Sequence, residues 1–347
     1  MKLAIVAFTK TGAELAKRIG AMLIENGNTC LIAASKNAAL SCGVEETGDL
    51  KSWTERVFSQ MDGLIFVGAS GIAVRTVAPF LKDKFTDPAV VSVDELGQFA
   101  VPLVSGHIGG ANALAREIAK ITGGTAVIST ATDVQGVFAV DEWAANQGLA
   151  IADRTAAKEI SAALLDGEKI GFRSDFPVCG KLPNGIEASD SGRIGIYITV
   201  KDSIRPFETT LLLHPKAITL GIGCRKGTPA QVISDAVFEA LSEAGISVPT
   251  LKDAASIDLK ADEQGLLDFC SERELPLTTY TAQELSKISG DFTPSAFVEE
   301  ITGVSNVCER SAVATGGTLI IKKQAGKGVT VAAAIAPFSL SFPEEME

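Results

Sequence analysis

The stretch DGLIFVGASGIAVRTVAPFL, from Asp62 to Leu81, decides the fold class. Its run GLIFV has the length and apolar character of a buried strand, and Gly68 follows directly. Small residues then open a segment with helical spacing, which Pro79 stops. A buried strand that leads through a glycine turn into a helix is typical of a parallel sheet with helices on both faces.

The same alternation extends outward from this stretch. KLAIVAF precedes it, and DPAVVSVDE and QFAVPLVS follow as further strands. The pattern weakens from residue 131 and returns at 217 with AITLGIGCRKGTP. We therefore predict an α/β protein with two wound, mostly parallel α/β domains, at 1–130 and 217–347, joined by a small α+β middle region at 131–216. In such sheets ligands bind at the carboxyl ends of the strands, where we expect the glycine turns to lie.

Composition excludes several classes of function. A formal charge of -11 and a pI of about 4.9 disfavour nucleic acid as a partner. No apolar run reaches the roughly 20 residues that cross a bilayer, and the opening segment is too short for a signal peptide. The six cysteines include no CxxC pair and, with only two histidines, indicate reduced thiols and no protein metal site. We expect a cytoplasmic protein without a membrane partner.

The segment VSGHIGGAN, from Val104 to Asn112, carries a candidate catalytic centre. His107 precedes a predicted helix, whose dipole would lower the pKa of the imidazole and favour a neutral general base. Asp94 and Glu95 follow a strand, where either carboxylate could orient His107. A histidine that only caps the helix is the competing interpretation. Donors predicted to face a ligand oxygen are the backbone of Gly109 and Gly110 and the amide of Asn112.

Two further glycine turns are candidate anion sites. GASGIAVR combines a strand-to-helix turn with Ser70, Gly71 and Arg75, although an ordinary turn is equally compatible with it. GIGCRKGTP places two cations before a helix, and SIDLKADE adds a lysine at another strand end. Neither turn matches a nucleotide-binding fingerprint. The second set comprises Gly223, Cys224 as a lining residue, Arg225, Lys226 and Lys260.

Together the block from DGLIFVGASGIAVR to LVSGHIGGANALA, then GIGCRKGTP, SIDLKADE and VCERSAV, resembles the cobalt-precorrin-5A hydrolase family of anaerobic cobalamin biosynthesis, known as CbiG. The resemblance covers almost the whole chain, and its C-terminal part is also similar to the stand-alone CobE protein of the aerobic pathway. It implies an enzyme that opens the ring-A δ-lactone of cobalt-precorrin-5A. The extruded carbon would leave as acetaldehyde, giving cobalt-precorrin-5B.

The chemistry of this reaction, and not the resemblance itself, suggests roles for the residues already named. His107, with Asp94 or Glu95, would perform acid–base chemistry, while Gly109, Gly110, Ser70 and Gly71 would hold the oxyanion. Arg75 and the second set of cations would bind the carboxylates of a cobalt-corrinoid substrate. No separate cofactor is implied, because the substrate carries the cobalt. A tetrapyrrole carrier without catalysis and a nucleotide- or S-adenosylmethionine-dependent enzyme are the alternatives. The sequence leaves open a homodimer and transient contact with neighbouring pathway enzymes.

Overall fold

The computed structural model describes residues 1–83, 86–107, 109–295, 299–300 and 303–342. The chain divides into two compact units, Met1–Glu142 and Trp143–Glu347. Within the described ranges, no helix is long and apolar enough to cross a membrane. Residues 131–142, which the sequence pattern groups with the middle region, belong to the first unit.

The first unit has one seven-stranded sheet in its described part, with the strand order β3-β2-β1-β4-β5-β6-β7. The strands are β1 (Lys2–Ala7), β2 (Thr29–Ala34), β3 (Glu45–Glu46), β4 (Gly63–Val67), β5 (Ala89–Val93), β6 (Phe99–Val104) and β7 (Thr125–Ala126). The helices are α1 (Lys10–Glu25), α2 (Lys36–Cys42), α3 (Leu50–Phe58), α4 (Ser70–Val77), α5 (Ala111–Thr122), α6 (Ala131–Val134) and the beginning of α7 (Val140–Asn146).

Alternation along the strands produces two cores in this unit. Leu3 and Ile5 of β1 face α1 and α5, whereas Ala4 and Val6 face α3 and α4. Successive side chains of a strand point to opposite faces, so one apolar run serves both layers. The buried strand GLIFV is β4, beside β1 in the centre of the sheet. The predicted α/β class is therefore confirmed.

The direction of β6 departs from the predicted parallel arrangement. β5 runs parallel to β4, but β6 runs antiparallel to β5 and pairs Val104 with Val90. Only Asp94–Gln98 connects the two strands. Such a short connection closes a hairpin, since a parallel crossover needs a dozen or more residues. The end of β6 therefore lies at the sheet edge where β4 and β5 begin.

The second unit contains two larger sheets. The first, in the order β11-β9-β12-β13-β8, and the second, in the order β16-β15-β14-β18-β17, each have five strands among the described residues. The strands are β8 (Leu149–Ile151), β9 (Ile170–Ser174), β10 (Val178–Cys179), β11 (Ile186–Ala188), β12 (Gly192–Ile198), β13 (Phe207–Pro215), β14 (Ile218–Cys224), β15 (Leu251–Ile257), β16 (Leu277–Tyr280), β17 (Thr318–Gly326), β18 (Val329–Ile335) and β19 (Leu340–Ser341). The helices are α8 (Arg154–Leu165), α9 (Ala230–Glu243), α10 (Gln264–Glu272), α11 (Ala282–Lys287) and α12 (Cys308–Val313).

Helices cover both faces of the second five-stranded sheet. Side chains of α9 and α10 share a core with β14, β15 and β18. On the other face α12 lies directly on β14, because a Cβ on Gly221 would come within 1.8 Å of the carbonyl oxygen of Cys308. The end of the described chain returns to the middle region, where β19 pairs with β10. There the ring of Phe342 stacks on Trp143 with centroids 4.7 Å apart.

Candidate functional site

The loop after β6 carries His107 to the edge where β5 begins. Asp94 and Glu95 lie at the opposite edge, because they follow β5 and β6 runs back across the sheet. The predicted pairing of His107 with either carboxylate is therefore wrong. The Asp94 carboxylate instead accepts the backbone N–H of Leu96 at 2.9 Å inside the hairpin turn. Glu95 accepts a hydrogen bond from the hydroxyl of Thr9.

A tight turn positions His107 between β6 and α5. Ser105 adopts a left-handed conformation with φ 58°, and its hydroxyl donates to the carbonyl of Asp87 at 2.9 Å. A Cβ on Gly109 would lie 2.3 Å from the Cβ of Ser105, so the turn closes only with glycine there. Gly110, at φ 82°, then leads into α5. The glycines of this segment are thus required by close approach and backbone conformation.

Two aspartates from the following helices hold the imidazole ring of His107. Its Nε2 lies 3.0 Å from Oδ2 of Asp133, and its Nδ1 lies 3.4 Å from Oδ1 of Asp141. The hydroxyl of Thr132 lies 3.2 Å from the same Nε2. The side chains of His107, Asp133 and Asp141 are 16%, 10% and 19% exposed, so the cluster is largely withdrawn from water but accessible.

These carboxylates determine the charge of His107. The hydrogen bond to Asp141 is the largest influence; with that to Asp133 it outweighs burial and raises the pKa of His107 to about 9. Burial alone would raise the pKa of both aspartates. Interactions with Arg116 and His107 outweigh it and lower the pKa of Asp133. Interactions with His107 likewise lower the pKa of Asp141. At neutral pH the ring is an imidazolium. The prediction of a neutral imidazole is wrong, because two adjacent carboxylates raise the pKa of His107 by more than a helix N-terminus lowers it.

Asn112 supports this cluster and has a different role from the one predicted. It is 1% exposed, and its amide donates to Asp133 at 2.9 Å and to Thr130 at 3.1 Å. The guanidinium of Arg116 binds the other oxygen of Asp133. The Asn112 amide is therefore not directed to a ligand. In the turn, the backbone N–H of Gly110 donates to the carbonyl of His107. Of the two glycines predicted as oxyanion donors, Gly109 is therefore the one that stays a candidate.

A third carboxylate completes the cluster. One oxygen of Glu142, one of Asp133 and a ring nitrogen of His107 all lie within 4.8 Å of one another. Burial, followed by repulsion from Asp133, raises the pKa of Glu142. These three side chains are near enough to bind one divalent ion, although Arg116 already supplies a positive charge to Asp133.

The predicted anion site of α4 lies at the carboxyl edge of the first sheet, away from His107. The Ser70 hydroxyl donates to Ser92 at 3.1 Å. Arg75 folds back over the first turn, with a guanidinium nitrogen 3.4 Å from where a Cβ of Gly71 would stand. The structure thus brings Ser70, Gly71 and Arg75 together as one exposed turn, and does not join them to the His107 cluster.

In the second unit, the carboxylate of Glu263 binds at the basic turn that contains Arg225 and Lys226. Glu263 accepts the N–H of Gly227 at 2.6 Å and a hydrogen bond from Nζ of Lys260 at 3.0 Å. Burial raises the pKa of the Cys224 thiol despite the nearby charge of Lys260. Cys224 is therefore a neutral lining residue and not a thiolate.

The two cations of this turn are exposed, and one of them is held by the neighbouring hairpin. The side chains of Arg225 and Lys226 both reach solvent. A Cβ on Gly328 would lie 3.0 Å from Cδ of Arg225, and the backbone N–H of Arg225 donates to the Gly328 carbonyl at 3.0 Å. The hairpin between β17 and β18 therefore fixes the backbone and the aliphatic part of Arg225. Gly223, near the end of β14, faces Thr330, whose hydroxyl donates to the Gly223 carbonyl at 3.3 Å.

Sequence reasoning missed the acidic partners of His107. Asp133, Asp141 and Glu142 lie in the segment where the strand and helix pattern weakens, 26 or more positions after His107. No local motif marks them. The hairpin between β5 and β6 did have a signal, since two apolar runs separated by a short segment with Gly97 are typical of paired antiparallel strands.

Comparison with known proteins gives matches along most of the chain. The family models described as Cobalamin synthesis G N-terminal, Cobalamin biosynthesis central region and Cobalamin synthesis G C-terminus match residues 52–133, 138–215 and 218–334. A cobalt-precorrin-5A hydrolase of Priestia megaterium is 32% identical over 358 aligned residues, which cover 96% of this chain and 95% of that protein.

Two further relatives extend the comparison. A cobalt-precorrin-5A hydrolase of Salmonella typhimurium strain LT2 is 33% identical over 347 aligned residues, covering 96% of this chain and 97% of that protein. The protein CobE of a Sinorhizobium species is 31% identical over 121 residues, which cover 34% of this chain and 79% of that protein.

Proposed function

Because the chain belongs to the cobalamin synthesis G (CbiG) family, we propose that it is a cobalt-precorrin-5A hydrolase. It opens the ring-A δ-lactone of its substrate and releases the extruded carbon as acetaldehyde, giving cobalt-precorrin-5B. The observation that carries this proposal is similarity to two such hydrolases along nearly the full length of both chains. The predicted enzyme class and family resemblance agree with it.

The His107 cluster is the proposed catalytic centre. Lactone opening places negative charge on the carbonyl oxygen, and the positive charge of an imidazolium near that oxygen would stabilise it. Asp133 and Asp141 keep His107 charged and fix the orientation of its ring. Gly109 is the proposed backbone donor to the same oxygen. His107 therefore stabilises charge in this proposal, whereas the sequence pattern suggested a base.

The substrate carries several carboxylates, and each basic turn is proposed, within its own unit, as a carboxylate-binding turn. Arg75 with Ser70 and Gly71 forms one exposed turn of the first unit. Lys260, with Arg225 and Lys226, forms a second in the other unit. The carboxylate of Glu263 already contacts Lys260 there, which supports carboxylate as the ligand that this turn accepts. The cobalt belongs to the substrate, and we propose no additional cofactor.

We also propose that the reaction takes place in the cytoplasm, which the six free cysteines support. A homodimer and transient contact with neighbouring pathway enzymes stay predictions.

Incubation with cobalt-precorrin-5A, followed by an assay for acetaldehyde, tests the proposed function. Wild-type protein should release one acetaldehyde for each pigment converted. His107→Gln should lose this release while it retains its circular dichroism spectrum and pigment binding. Pigment binding by the wild type without acetaldehyde would instead indicate a carrier. Near-normal turnover by His107→Gln would remove the imidazole from the mechanism.

A further inference from the structure

We propose that Glu142 is the general base of the lactone-opening reaction and works beside His107, an inference that rests on the proposed function. An imidazolium, with both ring nitrogens protonated, cannot remove a proton from water. The reaction therefore needs a second group near His107 that can accept a proton. Three carboxylates lie in the cluster, and their hydrogen bonds distinguish them.

Two of these carboxylates already hold positive or donor groups. Asp133 binds Arg116, accepts from Asn112 at 2.9 Å and lies 3.0 Å from the ring of His107. Asp141 lies against the other ring nitrogen and also accepts the backbone N–H of Glu142 at 3.0 Å. Proton transfer to either aspartate would break the contacts that orient His107.

Glu142 differs from both aspartates. Its carboxylate is partly buried, and no donor to it is found among the described residues. One of its oxygens lies within 4.8 Å of a ring nitrogen of His107, so a water molecule or a hydroxyl could contact both groups. Burial and the charges of Asp133 and Asp141 favour its protonated form, whereas His107 and Arg116 favour the carboxylate. Among the three carboxylates, Glu142 is thus the one whose oxygens are not already engaged by a donor of the described residues and which lies beside His107.

The proton and electron pairs balance through both steps. Glu142 takes a proton from water as the water oxygen bonds to the lactone carbonyl carbon, and the carbonyl electron pair moves to the oxygen beside His107. When the carbonyl reforms, the ester C–O bond breaks and the released oxygen takes the proton from Glu142. Glu142 then removes that hydroxyl proton as the C–C bond breaks. Acetaldehyde leaves, and the bond's electron pair enters the macrocycle, which takes up the proton.

Glu142→Gln tests this assignment, since the amide preserves shape but accepts no proton at neutral pH. We expect kcat to fall about 100-fold or more while the Kd for pigment stays within about twofold. Glu142→Asp should retain part of the activity, and its pH profile should keep the acidic limb that Glu142→Gln loses. Glu55→Gln, an exposed position on α3, is the matched control and should behave as wild type.

The outcomes separate the two proposals. Wild-type protein that releases no acetaldehyde contradicts the proposed function. An active wild type with Glu142→Gln within about threefold of its kcat contradicts only the role of Glu142. Loss of wild-type activity on chelation, with recovery on adding one divalent metal ion, would assign Glu142 to a metal site and overturn its role as a base.

Discussion

Replacing Asp141 should change the titration of His107 more than any other property of the protein. Asp141→Asn keeps the size of the side chain and removes its negative charge. In the wild type, Asp141 and Asp133 raise the pKa of His107 to about 9 from an ordinary value of 6.5. Because the hydrogen bond to Asp141 is the largest influence, its loss should lower that pKa from about 9 toward its ordinary value of 6.5.

The corresponding free energy is substantial. A shift from 6.5 to about 9 favours the protonated folded state by about 3 kcal/mol, at 1.36 kcal/mol for each pKa unit. Since the folded pKa is raised, this stabilisation is fully present below pH 6.5 and is lost as the pH rises through about 9. Asp141→Asn should remove on the order of 1 kcal/mol or more of it, because the hydrogen bond to Asp141 is the largest influence on this pKa.

Nuclear magnetic resonance of histidine-labelled protein measures this shift directly. The chain has two histidines, so the two ring signals can be followed from about pH 5 to 10 and assigned with His107→Gln. His214 serves as an internal comparison, because burial lowers its pKa. Asp268→Asn, at an exposed position of α10, is the matched control and should leave both titrations unchanged.

A wild-type His107 signal that titrates at or below its ordinary value of 6.5 would refute the argument that the two aspartates maintain an imidazolium. An unchanged titration in folded Asp141→Asn would refute the larger influence assigned to Asp141. Either result would return the neutral base suggested by the sequence to consideration.

Two further predictions concern the turns. Gly109→Ala should destabilise the first unit by about 1–3 kcal/mol in urea unfolding, because its Cβ would meet Ser105 at 2.3 Å; Gly326→Ala, with no atom within 4 Å, is the control. An unchanged midpoint for Gly109→Ala would contradict the close approach. Glu263→Gln should free Lys260 and increase cobalt-corrinoid affinity roughly fivefold in an absorbance titration, whereas Lys260→Met should reduce it. If both variants bind the cobalt-corrinoid with the affinity of the wild type, Lys260 is not a substrate contact.

Local patterns were sufficient to predict much of the fold. The apolar run at β4 and the glycine turn before α4 lie where the sequence places them, because length and periodicity specify a buried strand and an amphipathic helix. The direction of β6 depended on the length of one connection, and the strand pattern alone did not indicate it. That single reversal moved His107 to the other edge of the sheet.

The candidate site was only partly predictable, for a related reason. His107 has a recognisable local setting, whereas its partners Asp133 and Asp141 come close only through the packing of α6 and α7. Their charges then reverse the protonation state that the helix terminus suggests. Sequence indicated which residue to examine but could not supply the electrostatics, because those depend on contacts distant in the chain.

The return of β19 to the middle region affects how domains can be exchanged between relatives. Trp143 donates to the carbonyl of Ser341 at 2.9 Å, and Phe342 covers its ring. A chimera joined near residue 217 would therefore pack residues 340–342 of one relative against Trp143 of another. Hybrid proteins should keep residues 340–342 matched to the middle region that receives them, even when the preceding sheet comes from another source.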